Sequence, residues 1–251
     1  MLKIESAQNP KIKWLLQLHK RRKRDEYRTF LVEGRREIEL AIQSGYEWDA
    51  FFFLPDCKFE PKIDTAKSYQ LTSALMQKVS LRGLTEGCIA TFHYKDAKPI
   101  AVKQKGLYLI IESVEKPGNL GAILRSADGA GVDGIFICDE KLDLYNPNLI
   151  RASLGARFTQ ALEVLSLQEI KTKLAGIPIF ATSPEATKNI WQVDLQNGAA
   201  WLLGSEKDGL SQLAMDMADE LVKIPMSGQV DSLNVSVASA LVIYESRRRW
   251  L

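Results

Sequence analysis

Apolar residues along this 251-residue chain fall into short runs separated by polar, glycine or proline breaks. Over 4–24, Ile12, Leu15, Leu16 and Leu18 recur at near-helical spacing. Ser6 or Asn9 is placed to cap a helix there, and Pro10 suits an early helical position. Strands are expected at 29–34, 50–54, 69–71 and 88–92, with helices at 36–44, ended by Gly45, and at 72–79. After a polar stretch at 94–106 the pattern becomes buried-strand runs alternating with helices. Strands are predicted at 107–112, 134–138, 161–164, 179–181, 200–203 and 221–224, and helices at 119–130, 148–154, 167–174 and 233–250. Such alternation implies a mostly parallel sheet covered on both faces. The chain therefore reads as an α/β protein in three parts: a small unit over 1–95, a linker over 96–106 and a second unit over 107–251.

Composition adds exclusions. At 46% hydrophobic and 25% charged residues, the chain has the balance of a soluble globular protein that needs neither disulfides nor metal. Lys11, Lys13 and Lys20 interrupt every apolar run near the start, and no run reaches the ~18 residues of a membrane span. Cys57, Cys88 and Cys138 form no close pair, so a cytoplasmic location is expected. With two histidines, His19 and His93, a histidine-based metal site or a Ser-His-Asp triad has little to work with. Chemistry must rest on Arg, Glu, Ser, Asn and backbone groups.

Net charge is only +2, yet residues 1–28 hold nine Lys or Arg against three acids, and the chain closes on Arg247-Arg248-Arg249-Trp250. Clustered charge on a nearly neutral protein points to an anionic partner, RNA or DNA first, with Lys13, Lys20, Arg21, Arg22, Lys23 and Arg24 as candidate contacts. The competing reading is a solvated helix face. Trp14 is a candidate base-stacking residue, although a place in the helix core is the better reading.

Three later segments carry candidate chemistry. Lys116-Pro117-Gly118-Asn119-Leu120-Gly121, followed by Arg125, joins a strand to a helix, with Asn119 as the expected cap. Strand-to-helix junctions are where open parallel sheets bind ligands. Leu203-Gly204-Ser205-Glu206 through Gly209 is a tight loop holding a carboxylate, which suits pairing with an arginine. Ile224-Pro225-Met226, then Ser232-Leu233-Asn234-Val235-Ser236, leads from a strand into a helix starting near Ser232, with Asp231 or Ser232 as its cap. Neither a dinucleotide GxGxxG nor a phosphate-cradling GxxxxGK[ST] is present. Taken singly, each segment also reads as an ordinary capped helix or polar turn.

In this order, Asn119-x-Gly121-x-x-x-Arg125, Gly204-x-Glu206-x-x-Gly209-Leu210 and Ser232-Leu233-Asn234-Val235-Ser236 resemble the SpoU (TrmH-like) family of RNA 2′-O-ribose methyltransferases, in the SPOUT superfamily. Residues 107–251 resemble its catalytic domain. Asn9-Pro10-x-Ile12-Lys13 and Phe30-Leu31-Val32-Glu33-Gly34 resemble the ribosomal-protein-like α/β domain that often precedes it and binds the RNA substrate. Where the family often has Asp, this chain has Glu112 near the end of the first strand and Lys116 before the proline; both positions look peripheral to the chemistry.

The resemblance implies a parallel sheet tied into a deep trefoil knot, and a homodimer formed through the knot region. It implies S-adenosyl-L-methionine, left as S-adenosyl-L-homocysteine, held mainly by backbone of Thr182, Ser183, Leu203, Gly204, Ile224, Pro225, Met226, Ser232 and Leu233. No metal is implied. The expected reaction is 2′-O-methylation of a ribose in ribosomal or transfer RNA. Catalysis is expected from Arg125, Asn119, Glu206, Ser232 and Asn234. Arg125 or an RNA phosphate takes the hydroxyl proton, and because a free Arg is essentially always protonated, phosphate binding is its safer role. Arg125 of one subunit is expected beside the cofactor of the other.

Overall fold

The apolar runs build two sheets in two separately packed units. The computed structural model describes residues 2–59, 61, 65–81, 86–138, 142–205 and 208–250. The first unit is the chain up to Asp96 together with Asp143–Thr159; the second is Ala97–Leu142 with Gln160 onward.

In the first unit the elements are β1 (Leu2–Ile4), α1 (Pro10–Gln17), α2 (Arg21–Tyr27), β2 (Thr29–Glu33), α3 (Arg35–Gln43), β3 (Trp48–Phe53), β4 (Ser68–Leu71), α4 (Ser73–Val79) and β5 (Cys88–His93). The sheet order is β1-β4-β3-β5-β2; β1 and β3 run parallel to β4, while β5 is antiparallel to β3 and β2. Successive residues of a strand face opposite sides, so Phe52 packs with Ile12, Leu15 and Ile89 while its neighbour Phe51 packs with Phe30, Ile38 and Phe92. Trp14 lies against the first of these clusters.

The single helix expected over 4–24 is two helices after an edge strand. Asn9 caps α1, its side chain accepting from the Lys11 N–H. The chain then turns at 18–20, where the Arg24 guanidinium reaches back to the Leu18 carbonyl at 2.7 Å. Residues 2–4 extend because they pair with β4, a partner 67 positions away that local periodicity does not reveal.

The second unit holds β6 (Leu107–Ile111), α5 (Pro117–Ala130), β7 (Gly134–Ile137), β8 (Leu162–Val164), α8 (Leu167–Lys173), β9 (Ile179–Thr182), β10 (Lys188–Asn189), β11 (Ala199–Leu203), α9 (Gln212–Met217), β12 (Glu220–Lys223) and α10 (Val235–Trp250). The excursion between β7 and β8 carries α6 (Pro147–Ala152) and α7 (Ala156–Thr159) and packs within the first unit. There Ile150 and Phe158 join the Phe30 cluster, and Tyr145 stacks on Tyr94 at 4.0 Å. The helix expected over 148–154 is α6, which ends at Ala152, and a turn with Leu154 and Gly155 both at positive φ leads on to α7.

The seven-stranded order is β10-β12-β9-β11-β6-β7-β8, and every recorded pair is parallel. Tyr108, Ile110, Ala200 and Leu202 face α8 and α9 through Ile170, Leu174, Ala214 and Met217. On the opposite face Trp201, fully buried, donates its indole N–H to Ser246 Oγ of α10 at 2.8 Å. The connection over 97–106 has no helix or strand but is tied down. Ile100 is buried, its N–H bonds Glu163 at 2.7 Å, and Lys103 pairs with Asp133 at 2.6 Å.

Candidate functional site

Because the sheet is parallel, the carboxyl ends of β6, β9, β11 and β12 share one edge. Leu203 pairs with Ile111, Leu202 with Ala181, and Val222 with Thr182. The direction of chain progression reverses here: β7 and β8 lie on one side of β6, β9 on the other, and β11 fills the gap between β6 and β9. Ligands of open α/β sheets bind in the crevice at such a reversal. The same edge carries Thr182-Ser183, Gly204-Ser205 and Ile224-Pro225-Met226, each following its strand.

The loop after β11 folds back on itself. Ser205 and Gly209 form an antiparallel bridge with N–H to carbonyl bonds of 3.0 and 3.2 Å. A Cβ on Gly204 would overlap the Gly209 carbonyl, so only glycine fits where the two backbones cross. The loop ends at Ser211, which caps α9 by accepting from the Ala214 N–H at 3.1 Å. Ser211 also donates its N–H and hydroxyl to the two carboxylate oxygens of Glu112, at 2.8 and 2.7 Å. Glu206 lies outside the described residues.

Asn119 and Asn234 meet. The Asn234 amide donates to Asn119 Oδ1 at 3.2 Å, across 115 positions of sequence. Asn234 Oδ1 accepts from the Ser236 N–H at 2.9 Å and its hydroxyl at 2.6 Å, which fixes the direction of the Asn234 amide. The Asn119 amide nitrogen is buried and has no partner among the described residues, a donor left for something else.

Both helix starts differ from expectation. Asn119 is not the cap of α5: that helix begins at Pro117, whose ring presets the helical φ, with Lys116 at the cap position making no side-chain bond. Asn119 therefore lies in the first turn, its side chain available to Asn234. Helix α10 begins at Val235 rather than near Ser232, and its first N–H groups bond Asn234, so neither Asp231 nor Ser232 caps it. Ser232 remains exposed.

Arg125 is exposed and lies six residues past Asn119, about 9 Å along the helix axis and roughly 120° around it. Helix α5 therefore presents Arg125 and Asn119 to different sides. Thr182 donates its hydroxyl to the Leu202 carbonyl at 3.3 Å, and the Ser183 N–H is taken by Val222. Leu203 is buried, whereas Gly204, Ile224, Pro225 and Leu233 are half-buried and Met226 is exposed.

Among the basic residues, Lys13, Lys20, Arg21 and Arg22 are exposed, and Lys23 is half-buried beside Glu26 at 2.7 Å. Arg24 is a correction. It is 1% exposed and pairs with Asp143 as well as Leu18, so its guanidinium is not presented to a partner. The terminal arginines are bonded within their own chain, although Arg248 is exposed. Arg247 binds the carbonyls of Ala130 and Gly131 at the end of α5, Arg249 binds those of Trp191 and Val193, and both Arg248 and Arg249 pair with Glu245.

Residues 106–244, which include every element of this edge, match the family model described as the SpoU rRNA methylase family. The chain belongs to the SpoU rRNA methylase family. Residues 9–90 match a second model, the MRM3-like substrate binding domain. A curated SpoU-type relative, the 23S rRNA (guanosine(2553)-2′-O)-methyltransferase RlmP of Bacillus subtilis, is 28% identical over 98% of this chain and all of its own. A crystal structure of an RNA 2′-O ribose methyltransferase matches over the whole of both chains, with TM-score 0.87 and 35% identity. An AdoMet-bound rRNA methyltransferase from Sinorhizobium meliloti matches over 99% of this chain and 98% of its own, with TM-score 0.89 and 25% identity. Within this SpoU frame, motif spacing passed over Ser211, and Glu112, which looks peripheral to the chemistry in sequence, is its partner. An acidic residue closing the first strand and a serine two places past Gly209 at a helix start were the available signal.

Proposed function

We propose that this chain transfers the methyl group of S-adenosylmethionine to a ribose 2′-hydroxyl of ribosomal RNA. The observation that carries this reading is the Asn119–Asn234 pair at the carboxyl edge of a parallel sheet in a SpoU family chain, with a buried amide nitrogen beside it that has no partner among the described residues. Of the two RNAs left open by the sequence, ribosomal RNA is favoured by RlmP, which matches this chain end to end. Work on that substrate goes with a cytoplasmic location.

The residues at the edge suit the cofactor. Leu203, Ile224, Met226 and Leu233 offer apolar surface to an adenine ring, while backbone of Thr182, Ser183, Gly204, Pro225 and Ser232 offers hydrogen bonds to a nucleoside carrying an amino-acid tail. The bound cofactor supplies an electrophilic methyl on a sulfonium. Around it, Asn119 and Asn234 hold the 2′-oxygen, Ser232 hydrogen-bonds nearby, and Glu206 orients an arginine. Arg125 grips the phosphate next to the target ribose, and the proton leaves to that phosphate or to Arg125. Because Arg125 and Asn119 point to different sides of α5, Arg125 serves the site of the other subunit.

Two structural features go with this reading. The position of β11 between two earlier strands supports a trefoil knot. Val237, Leu241 and Tyr244 form an exposed apolar stripe on α10, at the i, i+4, i+7 spacing of a helix face seeking a partner, which supports a homodimer through the knot region. The first unit binds RNA through Lys13, Lys20, Arg21, Arg22 and Lys23, and the second unit, Ala97–Leu142 with Gln160 onward, forms the methyltransferase domain.

The test is methyl transfer from labelled cofactor to ribosomal RNA. Arg125→Ala is expected to slow transfer by about a hundredfold or more while the chain still binds S-adenosylhomocysteine. A variant as fast as the wild type removes Arg125 from the mechanism.

A further inference from the structure

Glu112 stands apart from the motif residues, yet it touches both ends of the loop at the centre of the site. Its N–H donates to the Leu203 carbonyl at 2.9 Å, where the chain enters the Gly204–Gly209 turn. Its carboxylate accepts from the N–H and the hydroxyl of Ser211, where the chain leaves that turn. Between these two anchors Ser205 bridges Gly209 and Gly204 crosses the Gly209 carbonyl, so the described ends of the turn are held to one another. One anchor is a backbone bond of the sheet and survives any substitution. The other joins the Glu112 side chain to Ser211, whose hydroxyl also caps α9. Both of its bonds are charge-assisted and short, and such bonds are stronger than neutral ones.

We propose that Glu112 is a positioning residue for cofactor binding: by clamping Ser211 it fixes the Gly204–Gly209 turn against the end of β6, so that the backbone of Leu203 and Gly204 meets S-adenosylmethionine in one orientation. This rests on the cofactor site proposed above. The clamp precedes binding, so its loss is felt in cofactor affinity and not in the transfer step once the site is full.

The experiment titrates S-adenosylhomocysteine into the full-length wild type, Glu112→Gln, Ser211→Ala, Ser211→Thr and the Glu112→Gln/Ser211→Ala double variant, and measures KM for the cofactor and kcat with RNA. Glu112→Gln and Ser211→Ala are each expected to weaken binding and raise KM by about tenfold, with kcat at saturating cofactor within about twofold. Ser211→Thr, which keeps both donors, restores wild-type binding. The double variant falls short of the sum of the two single losses, because Ser211→Ala removes one of the two bonds that Glu112→Gln weakens. Losses that add in the double variant overturn the proposal, as does a Glu112→Gln protein that melts earlier but binds within twofold of the wild type. A wild type that fails to bind S-adenosylhomocysteine sinks the functional reading itself, which the variants alone do not.

Discussion

Two arginine-rich stretches look alike in the sequence and are used oppositely in the fold. Residues 20–24 lie on a short exposed helix with its preceding turn, and Lys20, Arg21 and Arg22 face solvent. Residues 247–249 close a long helix, and their guanidinium groups find the carbonyls of Ala130, Gly131, Trp191 and Val193 and the carboxylate of Glu245. A charge run is therefore best read as an interaction surface where its cations are exposed and their own-chain partners are exposed carboxylates, as at Arg21–Asp25, rather than main-chain carbonyls. The first stretch contains its own counterexample in Arg24, buried against Leu18 and Asp143.

The comparison breaks most sharply at Arg24. Removing one partner of a buried ion pair strands the other, at a cost of about 3 kcal/mol. Arg24→Ala is expected to lower the stability of the first unit by that order in chemical denaturation. If it instead leaves stability intact and weakens RNA binding, Arg24 belongs with its exposed neighbours. Those neighbours set the second effect. Replacing Lys20, Arg21 and Arg22 together by Ala should weaken RNA binding about tenfold at physiological salt and flatten the logarithmic salt dependence by about 2, with stability unchanged. An unaltered slope would remove these residues from the RNA surface.

The same contrast explains what was legible in the sequence. The parallel sheet, most of its strands and the three polar segments at its edge followed from periodicity and turn chemistry. Asn119 and Asn234 were legible as members of motifs, but their contact was not, since it spans two helices distant in sequence. Their capping roles were misjudged because Pro117 can start a helix without a side-chain cap, and because Asn234 competed with Ser232 and Asp231 for one position. β1 escaped notice since a three-residue edge strand is defined by its partner β4. Arg24 and Arg247 were misread for one reason: charge is visible in sequence, and the backbone carbonyls that neutralise it are not.

The smallest expected effect sharpens the C-terminal half of the comparison. Hydrogen bonds from Arg248, and then from Arg249, hold the Glu245 carboxyl below its usual range. A depressed carboxylate stabilises the fold fully above the unfolded pKa of about 4.3 and loses that contribution as pH falls through the lower, folded value. Glu245→Gln is therefore expected to lower Tm by about 2 °C at neutral pH, and the gap to the wild type should close in acid below pH ~4. Raising salt should narrow the same gap only modestly, because Glu245 is nearly buried and Arg249 is also held by carbonyls. RNA affinity should not move. A Glu245→Gln chain with unchanged melting but altered RNA binding would mean that the terminal arginines serve RNA rather than the fold, and that the two clusters differ less than their partners indicate.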